Sequence, residues 1–215
     1  MDSAAEWDER YRNADRLWTS DVNPALIAEV AELAAGTALD IGSGEGADAR
    51  WLADQGWQVT AVDISQVAVD RAREIDPRDT ITWLRADVSV DAIPGRDFGL
   101  VSLQYFPIAR TDESTVRKIL DAVGPGGHLL VVSHEAEGVR AHGRNPDDYY
   151  QPADWASLVA GAGSEASGPN QHGAGSEASG TGAGWTIVTH DSRERGIAAG
   201  GGAHTHDVVL HARRD

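Results

Sequence analysis

The segment Leu39-Asp40-Ile41-Gly42-Ser43-Gly44-Glu45-Gly46 constrains this chain more than any other. The run 37–41 is apolar and reads as a strand, and 46–55 reads as a helix stopped by Gly56. Three alternate glycines between them allow a sharp turn and let a ligand touch bare backbone. The helix that follows turns its first N–H groups toward the same point. Strand, glycine turn and helix in this order open a doubly wound α/β sheet, whose ligands bind outside the carboxyl ends of the strands.

The rest of the chain continues that rhythm. Strands are predicted at 57–63, 80–86, 98–103 and 127–134, and helices at 65–75 and 112–123. The strands are continuous apolar runs rather than alternating ones, so both faces of the sheet are covered. Alternation of β with α means parallel pairing. Ahead of the sheet, Ser3 and Glu6 form a capping box for a helix at 3–15. Pro24, with Asn23 as cap, opens a second helix at 24–35, with Leu26, Ile27, Val30 and Leu33 on one face. Residues 1–35 are thus a helical cap on a single domain, 1–215. After a helix at 152–159 come runs at 185–190 and 207–212, with no crossover helix between them, so they should form an antiparallel hairpin on the sheet edge. The expected fold class is a Rossmann-like three-layer αβα sandwich. Residues 161–184 hold two copies of Gly-Ala-Gly-Ser-Glu-Ala-Ser-Gly and almost nothing that could enter a core, and read as a flexible insertion.

Composition narrows the function. A net charge of −16 repels phosphate backbones and anionic lipid, which argues against nucleic acid and membrane partners. The absence of cysteine excludes disulfides, zinc–thiolate sites and thiol nucleophiles. The charged first sixteen residues are no signal peptide, and no apolar run approaches the ~20 residues of a membrane span. The expected location is the cytoplasm; no oligomer signal is present.

Carboxylates end the first three strands. Asp63 lies 63 − 40 = 23 residues after Asp40, near the ~20-residue offset at which an acid meets ribose hydroxyls. Asp87, between Ala86 and Val88, is placed for the adenine amino group, and backbone at Ile64, Ala86 and Val88 lies beside the same ligand. A cofactor with ammonium, ribose and adenine but no phosphate suits such a crevice. The string Gly42-Ser43-Gly44-Glu45-Gly46-Ala47 also fits G-x-G-x-x-A, the dinucleotide fingerprint. Asp40 and Glu45 make a poor setting for a pyrophosphate, and the chain lacks a second mononucleotide-binding half. An NAD-binding oxidoreductase is therefore the weaker alternative.

The glycine motif, Val62-Asp63-Ile64-Ser65, Ala86-Asp87, Asp97-Phe98-Gly99-Leu100-Val101 and Val123-Gly124-Pro125-Gly126-Gly127-His128-Leu129-Leu130 together resemble the class I methyltransferases that use S-adenosylmethionine (SAM). That resemblance implies seven strands in the order 3-2-1-4-5-7-6, the last antiparallel, and a soluble enzyme that methylates a small molecule by in-line displacement. Trp7-Asp8-Glu9-Arg10-Tyr11 with Trp18, and Gly44-Glu45-Gly46-Ala47-Asp48 with Trp51-Leu52-Ala53, are similar to the bacterial branch near tellurite-resistance and thiopurine methyltransferases. Members of that branch close an N-terminal helix over the site and methylate soft sulfur, selenium, tellurium or halide nucleophiles, or small molecules not yet identified. Many relatives have Gly-Cys-Gly where this chain has Ser43, which should be tolerated because backbone does the binding.

The cofactor-contacting set is then Tyr11, Trp18, Asp40, Gly42, Ser43, Gly44, Gly46, Asp63, Ile64, Ala86, Asp87, Val88 and Gln104. Tyr105 and Phe106 are candidates for walling the methyl, Gln104 for a hydrogen bond to cofactor or acceptor, and His134 (with Glu135) for a general base if the acceptor is a hydroxyl or amine. His142 is a further candidate for the acceptor side. His204 and His206 show no metal-ligand spacing, and no metal is expected. A SAM-binding sensor or scaffold without catalysis is the alternative from another class.

Overall fold

A computed structural model describes residues 2–76, 78–141, 143–161, 181–182, 184–194 and 206–215. Helix α1 (Ala4–Arg12) starts with the predicted capping box: Glu6 N donates to Ser3 Oγ (3.4 Å) and Ser3 N to Glu6 Oε2 (2.7 Å). Helix α2 (Pro24–Val30) is shorter than its apolar face suggested. Asn23 stands at its N-cap position, but its side chain makes no cap bond there. It reaches Asp48 instead, so α2 is tied to the sheet rather than capped from within.

The α/β alternation follows: β1 (Thr37–Ile41), α3 (Ala47–Asp54), β2 (Gln58–Asp63), α4 (Gln66–Ile75), β3 (Ile81–Arg85), β4 (Phe98–Gln104), α5 (Glu113–Ala122), β5 (Val123–His134). Ser65 caps α4 as expected, accepting from Ala68 N (3.2 Å). Strand β5 starts at Val123, four residues before the predicted 127, because Val123 pairs with Phe98 across a register shift. A Cβ on Gly127 would lie 2.5 Å from the Phe98 carbonyl, so this approach requires glycine. Helix α6 (Ala136–Ala141) was not anticipated. Then come α7 (Pro152–Gly161), the two-residue β6 (Thr181–Gly182), β7 (Trp185–Glu194) and β8 (His206–Arg214).

The sheet order is β3-β2-β1-β4-β5-β8-β7-β6. Its seven long strands follow the expected 3-2-1-4-5-7-6, with β1–β5 parallel and the last strand antiparallel to β5. The predicted hairpin is β7–β8, and β6 is a short addition at its edge. The 161–184 insertion falls mostly outside the described residues. Among the described residues no helix is long and apolar enough to cross a membrane.

Two cores result. Ala38, Val59, Ala61, Leu100, Leu130 and Val132 pack under α2, α3 and α4. Leu39, Ile41, Val62, Val101, Leu103 and Leu129 pack under α5 and α7. Burying strands on both faces turns each strand's carboxyl end into a rim of loops, which is where the site lies.

Candidate active site

At that rim β1 ends in the glycine turn. Gly42, Gly44 and Gly46 have φ of 75°, 54° and 81°, in the left-handed region that favours glycine. Phe106 lies against Gly42, where a Cβ would come within 2.7 Å of its ring. Trp83 lies against Gly46, where a Cβ would come within 2.3 Å. Gly46 is thus a seat for β3's tryptophan, and Trp83 Nε1 donates to the Asp76 carbonyl (3.1 Å). The turn consumes its own donors. Gly42 N and Ser43 N donate to the Val62 carbonyl (2.8 and 3.0 Å), Gly46 N to the Ser43 carbonyl (2.9 Å) and Gly44 N to Asp63 Oδ2 (2.9 Å). This corrects the expectation that all three glycines offer bare backbone to a ligand.

The carboxylates are buried. Asp40 is 2% exposed, Asp48 7% and Asp63 8%. Asp63 accepts from Gly44 N and from Ser65 N (2.8 Å). A carboxylate has about four lone-pair sites, so capacity remains for further donors. Asp48 accepts from the Asn23 backbone (2.8 Å) and amide (2.6 Å). Burial, with Asp48 and Asp63 nearby, holds the Asp40 carboxyl well above the usual carboxylate range; burial also raises Asp48 and Asp63. Asp40 pairs in register with Ser102, and Gln104, two residues on, donates from Nε2 to Ser102 Oγ (3.1 Å). Among the described residues, Asp40 Oδ2, Ser43 Oγ and Gln104 Oε1 are buried without a hydrogen-bond partner. Three unpartnered acceptors around a glycine turn fit a ligand that brings donors and positive charge.

Glu45 does not belong to that set. Its carboxylate accepts from Leu17 N (3.1 Å) and Trp18 N (3.3 Å) and pairs with Arg71 (3.1 Å). The Arg71 guanidinium also donates to the carbonyls of Ala14 (2.9 Å) and Asp15 (3.4 Å). Residues 14–18 are thereby latched onto the glycine turn. Tyr11 is 2% exposed, and its hydroxyl accepts from Trp18 Nε1 (2.9 Å) above Gly44. Burial beside Asp63 raises its phenol above the ordinary value. Asp8 of α1 accepts from Ser65 Oγ (2.6 Å) and Val67 N (3.2 Å), holding α1 on the start of α4. Arg144 and Arg10 both reach Asp2, so the cap also meets the loop after α6.

Beyond β3, Ala86 N donates to the Asp63 carbonyl (2.9 Å), which ties the end of β3 to the end of β2. Asp87 Oδ1 serves its own turn, accepting from Ser89 N (3.0 Å) and Ser89 Oγ (2.6 Å). Lys118 of α5 clamps this loop, donating to the carbonyls of Val88 (2.6 Å), Ser89 (3.3 Å) and Asp91 (3.1 Å).

Past Gln104 the chain turns at Tyr105, whose φ of 55° is unusual for a side chain of its size and costs about 1–3 kcal/mol. The Tyr105 ring stacks on His134 (centroids 4.4 Å, 23°), and its hydroxyl donates to Asp207 Oδ2 (2.8 Å). His134 Nδ1 faces Asp207 Oδ1 at 3.9 Å. Glu135 is engaged by the Ser192 hydroxyl.

Residues 38–127 match the family described as a methyltransferase domain. Over 131 residues the chain is 30% identical to an uncharacterized methyltransferase of Mycobacterium tuberculosis. That match covers 59% of this chain and 65% of the relative, so the chain spans just under two thirds of the relative's length. The fold is shared with N-methyltransferase NodS from Bradyrhizobium japonicum, solved with S-adenosylhomocysteine, at a TM-score of 0.69 and 19% identity over 99% of both chains. It is also shared with a TehB-like SAM-dependent methyltransferase from Corynebacterium glutamicum, at 0.58 and 18% identity over 99% of this chain and 98% of that one. Residues 38–127 thus carry a methyltransferase-domain match, and the fold is one that SAM-dependent methyltransferases share.

The predicted residues fall into groups. Tyr11, Trp18, Gly42, Ser43, Gly44 and Asp63 gather at the glycine turn through the contacts above, and Gln104 reaches Ser102, the register partner of Asp40. Ile64 and residues 86–88 follow the ends of β2 and β3, with Val88 in the core and the Asp87 Oδ1 turned to its own loop. Gln104 leads directly into Tyr105 and His134, which share Asp207. Gly46 packs on Trp83, Glu45 serves the latch, and His142 and His204 lie outside the described residues. Sequence reasoning missed Arg71, Lys118, Asp8 and Asp207. Each acts across 26 to 102 residues of chain, and no local pattern marks it.

Proposed function

We propose that this chain moves the methyl group of SAM to a small-molecule acceptor by in-line displacement. The observation that carries the reading is the cluster of Asp40 Oδ2, Ser43 Oγ and Gln104 Oε1, buried and without hydrogen-bond partners among the described residues, around a glycine turn flanked by carboxylates. SAM brings an ammonium and a sulfonium, and no phosphate. Asp40 and Gln104 would hold the ammonium, Asp63 the ribose hydroxyls, and the loop at Ala86–Val88 the adenine. When bound, SAM supplies an activated methyl on a sulfonium centre. The protein's work is to orient the acceptor and to keep water out, because the displacement neutralises charge and needs alignment more than covalent help. Tyr11, Trp18 and the Glu45–Arg71 latch supply the cover. Tyr105 and His134 stand at the acceptor side.

The test is incubation of the purified protein with methyl-tritiated SAM and small-molecule fractions of a bacterial extract. Label passing into a low-molecular-weight product, and lost in Asp40→Asn, is the expected result. SAM bound tightly while every fraction stays unlabelled favours a sensor or scaffold; that reading has no structural feature of its own, since the crevice is intact.

A further inference from the structure

Of the chain's 18 lysines and arginines, Lys118 alone is lysine. It stands on α5, and its ammonium reaches the connection between β3 and β4. Residues 86–97 make that connection with no helix among them. Asp87 opens a single helical turn there. Val90 N (3.0 Å) and Asp91 N (2.7 Å) both donate to the Asp87 carbonyl, and Ser89 N and Oγ donate to Asp87 Oδ1. A turn that stops so soon leaves its later carbonyls without intrahelical donors. Those are the groups Lys118 meets: its Nζ donates to the carbonyls of Val88 (2.6 Å), Ser89 (3.3 Å) and Asp91 (3.1 Å). An ammonium carries three donors on one compact centre and suits three converging carbonyls, whereas a guanidinium spreads its donors in a plane. Val88, 3% exposed, packs in the same core as Val116 and Ile119 of α5. The turn is thus held by apolar packing and, at its carbonyl end, by one cation. Its start is tied to β2, where Ala86 N donates to the Asp63 carbonyl (2.9 Å).

We propose that Lys118 is a positioning residue for the adenine of the cofactor: its ammonium holds the 87–91 turn as a preformed wall for the base. The inference rests on the proposed function, which seats the adenine at 86–88. Lys118 touches the turn and not the cofactor. Asp87 and Val88 belong to the same turn whose carbonyls the ammonium gathers, so the backbone offered to the base is fixed by groups one to three residues away. Without the cation, those carbonyls turn to water, and the ligand must order the turn as it binds, which lowers its affinity. The bonds that shape the glycine turn and engage the Asp63 carboxylate come from Gly42, Ser43, Gly44, Gly46 and Ser65, and involve no residue of the 87–91 turn. The effect therefore falls on recognition of the base and spares the amino-acid end of the cofactor.

The chain has no cysteine, so Lys118→Cys can be alkylated at that position alone. Bromoethylamine returns an ammonium at the length of lysine, and iodoacetamide adds a neutral amide instead. Calorimetry is run on the parent and all three forms with S-adenosylhomocysteine and with S-inosylhomocysteine, whose base has an oxo group where adenine has an amino group. Lys118→Cys should bind S-adenosylhomocysteine about tenfold more weakly, the loss expected when hydrogen bonds from a charged group are removed. Aminoethylation should restore the parent affinity, the neutral amide should not, and S-inosylhomocysteine should bind all four forms alike. Parent-like affinity in Lys118→Cys, or no recovery on aminoethylation, overturns the proposal. So does a loss that is equal for the two nucleosides, which marks a general loss of structure. The parent protein gives a second reading that needs no substitution. Acetic anhydride labels Lys118 Nζ only when the turn opens, and peptide mass reads the rate at this single lysine. Saturating S-adenosylhomocysteine should slow that labelling about tenfold, as ligand-linked closure does for local opening; an unchanged rate overturns the proposal even if Lys118→Cys fails to fold. Failure of the parent to bind S-adenosylhomocysteine at all counts against the methyl-transfer reading itself, and the parent titration keeps the two outcomes apart.

Discussion

Asp40 is where the residue-scale chemistry is most exposed to test. Its carboxyl is buried, with Asp48 and Asp63 near, and sits well above the usual carboxylate range. A group raised in the folded state stays protonated where the unfolded chain has already ionised, so it opposes folding as pH rises through that window. A bound cation reverses the preference. Asp40→Asn should therefore raise the melting temperature of the unliganded protein. It should also weaken SAM binding by about 10- to 100-fold, the cost of losing a hydrogen bond to a charged group. Thermal unfolding with and without SAM reads both effects. A variant that loses stability and keeps its affinity would place the ammonium elsewhere. Trade-offs of this sign mark residues kept for binding at the expense of the fold.

At the scale of elements, the N-terminal cap is held by a few long-range bonds. Arg71 of α4 ties residues 14–15 and Glu45 together, and Glu45 holds the backbone of residues 17–18. Arg71→Met should raise amide exchange in residues 14–18 by about tenfold and speed cofactor release, with little change in the global unfolding midpoint. Unchanged exchange would mean that α1, docked through Asp8 on Ser65 and Val67, is sufficient. This is also where sequence and structure part. Strand β1, the caps at Ser3 and Ser65, and the pairing of β7 with β8 could be read because their signals are local: apolar runs, hydroxyls at helix starts, and a missing crossover. The early start of β5 could not, since Val123 joins the sheet only through Phe98 across a register shift. The latch role of Glu45 is illegible for the same kind of reason. A carboxylate in a glycine turn looks like part of the ligand site until the chain brings Leu17 and Trp18 to it.

At the scale of the whole molecule, Glu29 of α2 is the centre of a cross-tie to the sheet. Glu29 of α2 meets His211 of β8 (3.0 Å), Arg193 (2.7 Å) and Thr189 (2.8 Å) of β7, and His211 meets His128 of β5 (2.8 Å). These bonds join the cap, the central sheet and the hairpin. Burial, with His211 and Arg213 beside it, pushes His128 down to about 4, and burial lowers His211 as well. The unfolded chain takes up its protons near pH 6.5, so between about 6.5 and 4 the unfolded state binds more protons and stability falls as pH falls. Urea midpoints across that range should drop on acidification, and His128→Leu should flatten part of the slope. A slope identical in the variant would assign the acid sensitivity to other groups.

The central claim is that the crevice at the end of β1 is built for a cationic adenosyl compound free of phosphate, and calorimetric titration with SAM in buffers of different ionisation enthalpy tests it most directly. One site per chain is predicted, with protons released on binding just above the usual carboxylate range and no saturable heat from NAD. Saturable binding of NAD, or SAM binding without proton release in that range, would contradict it.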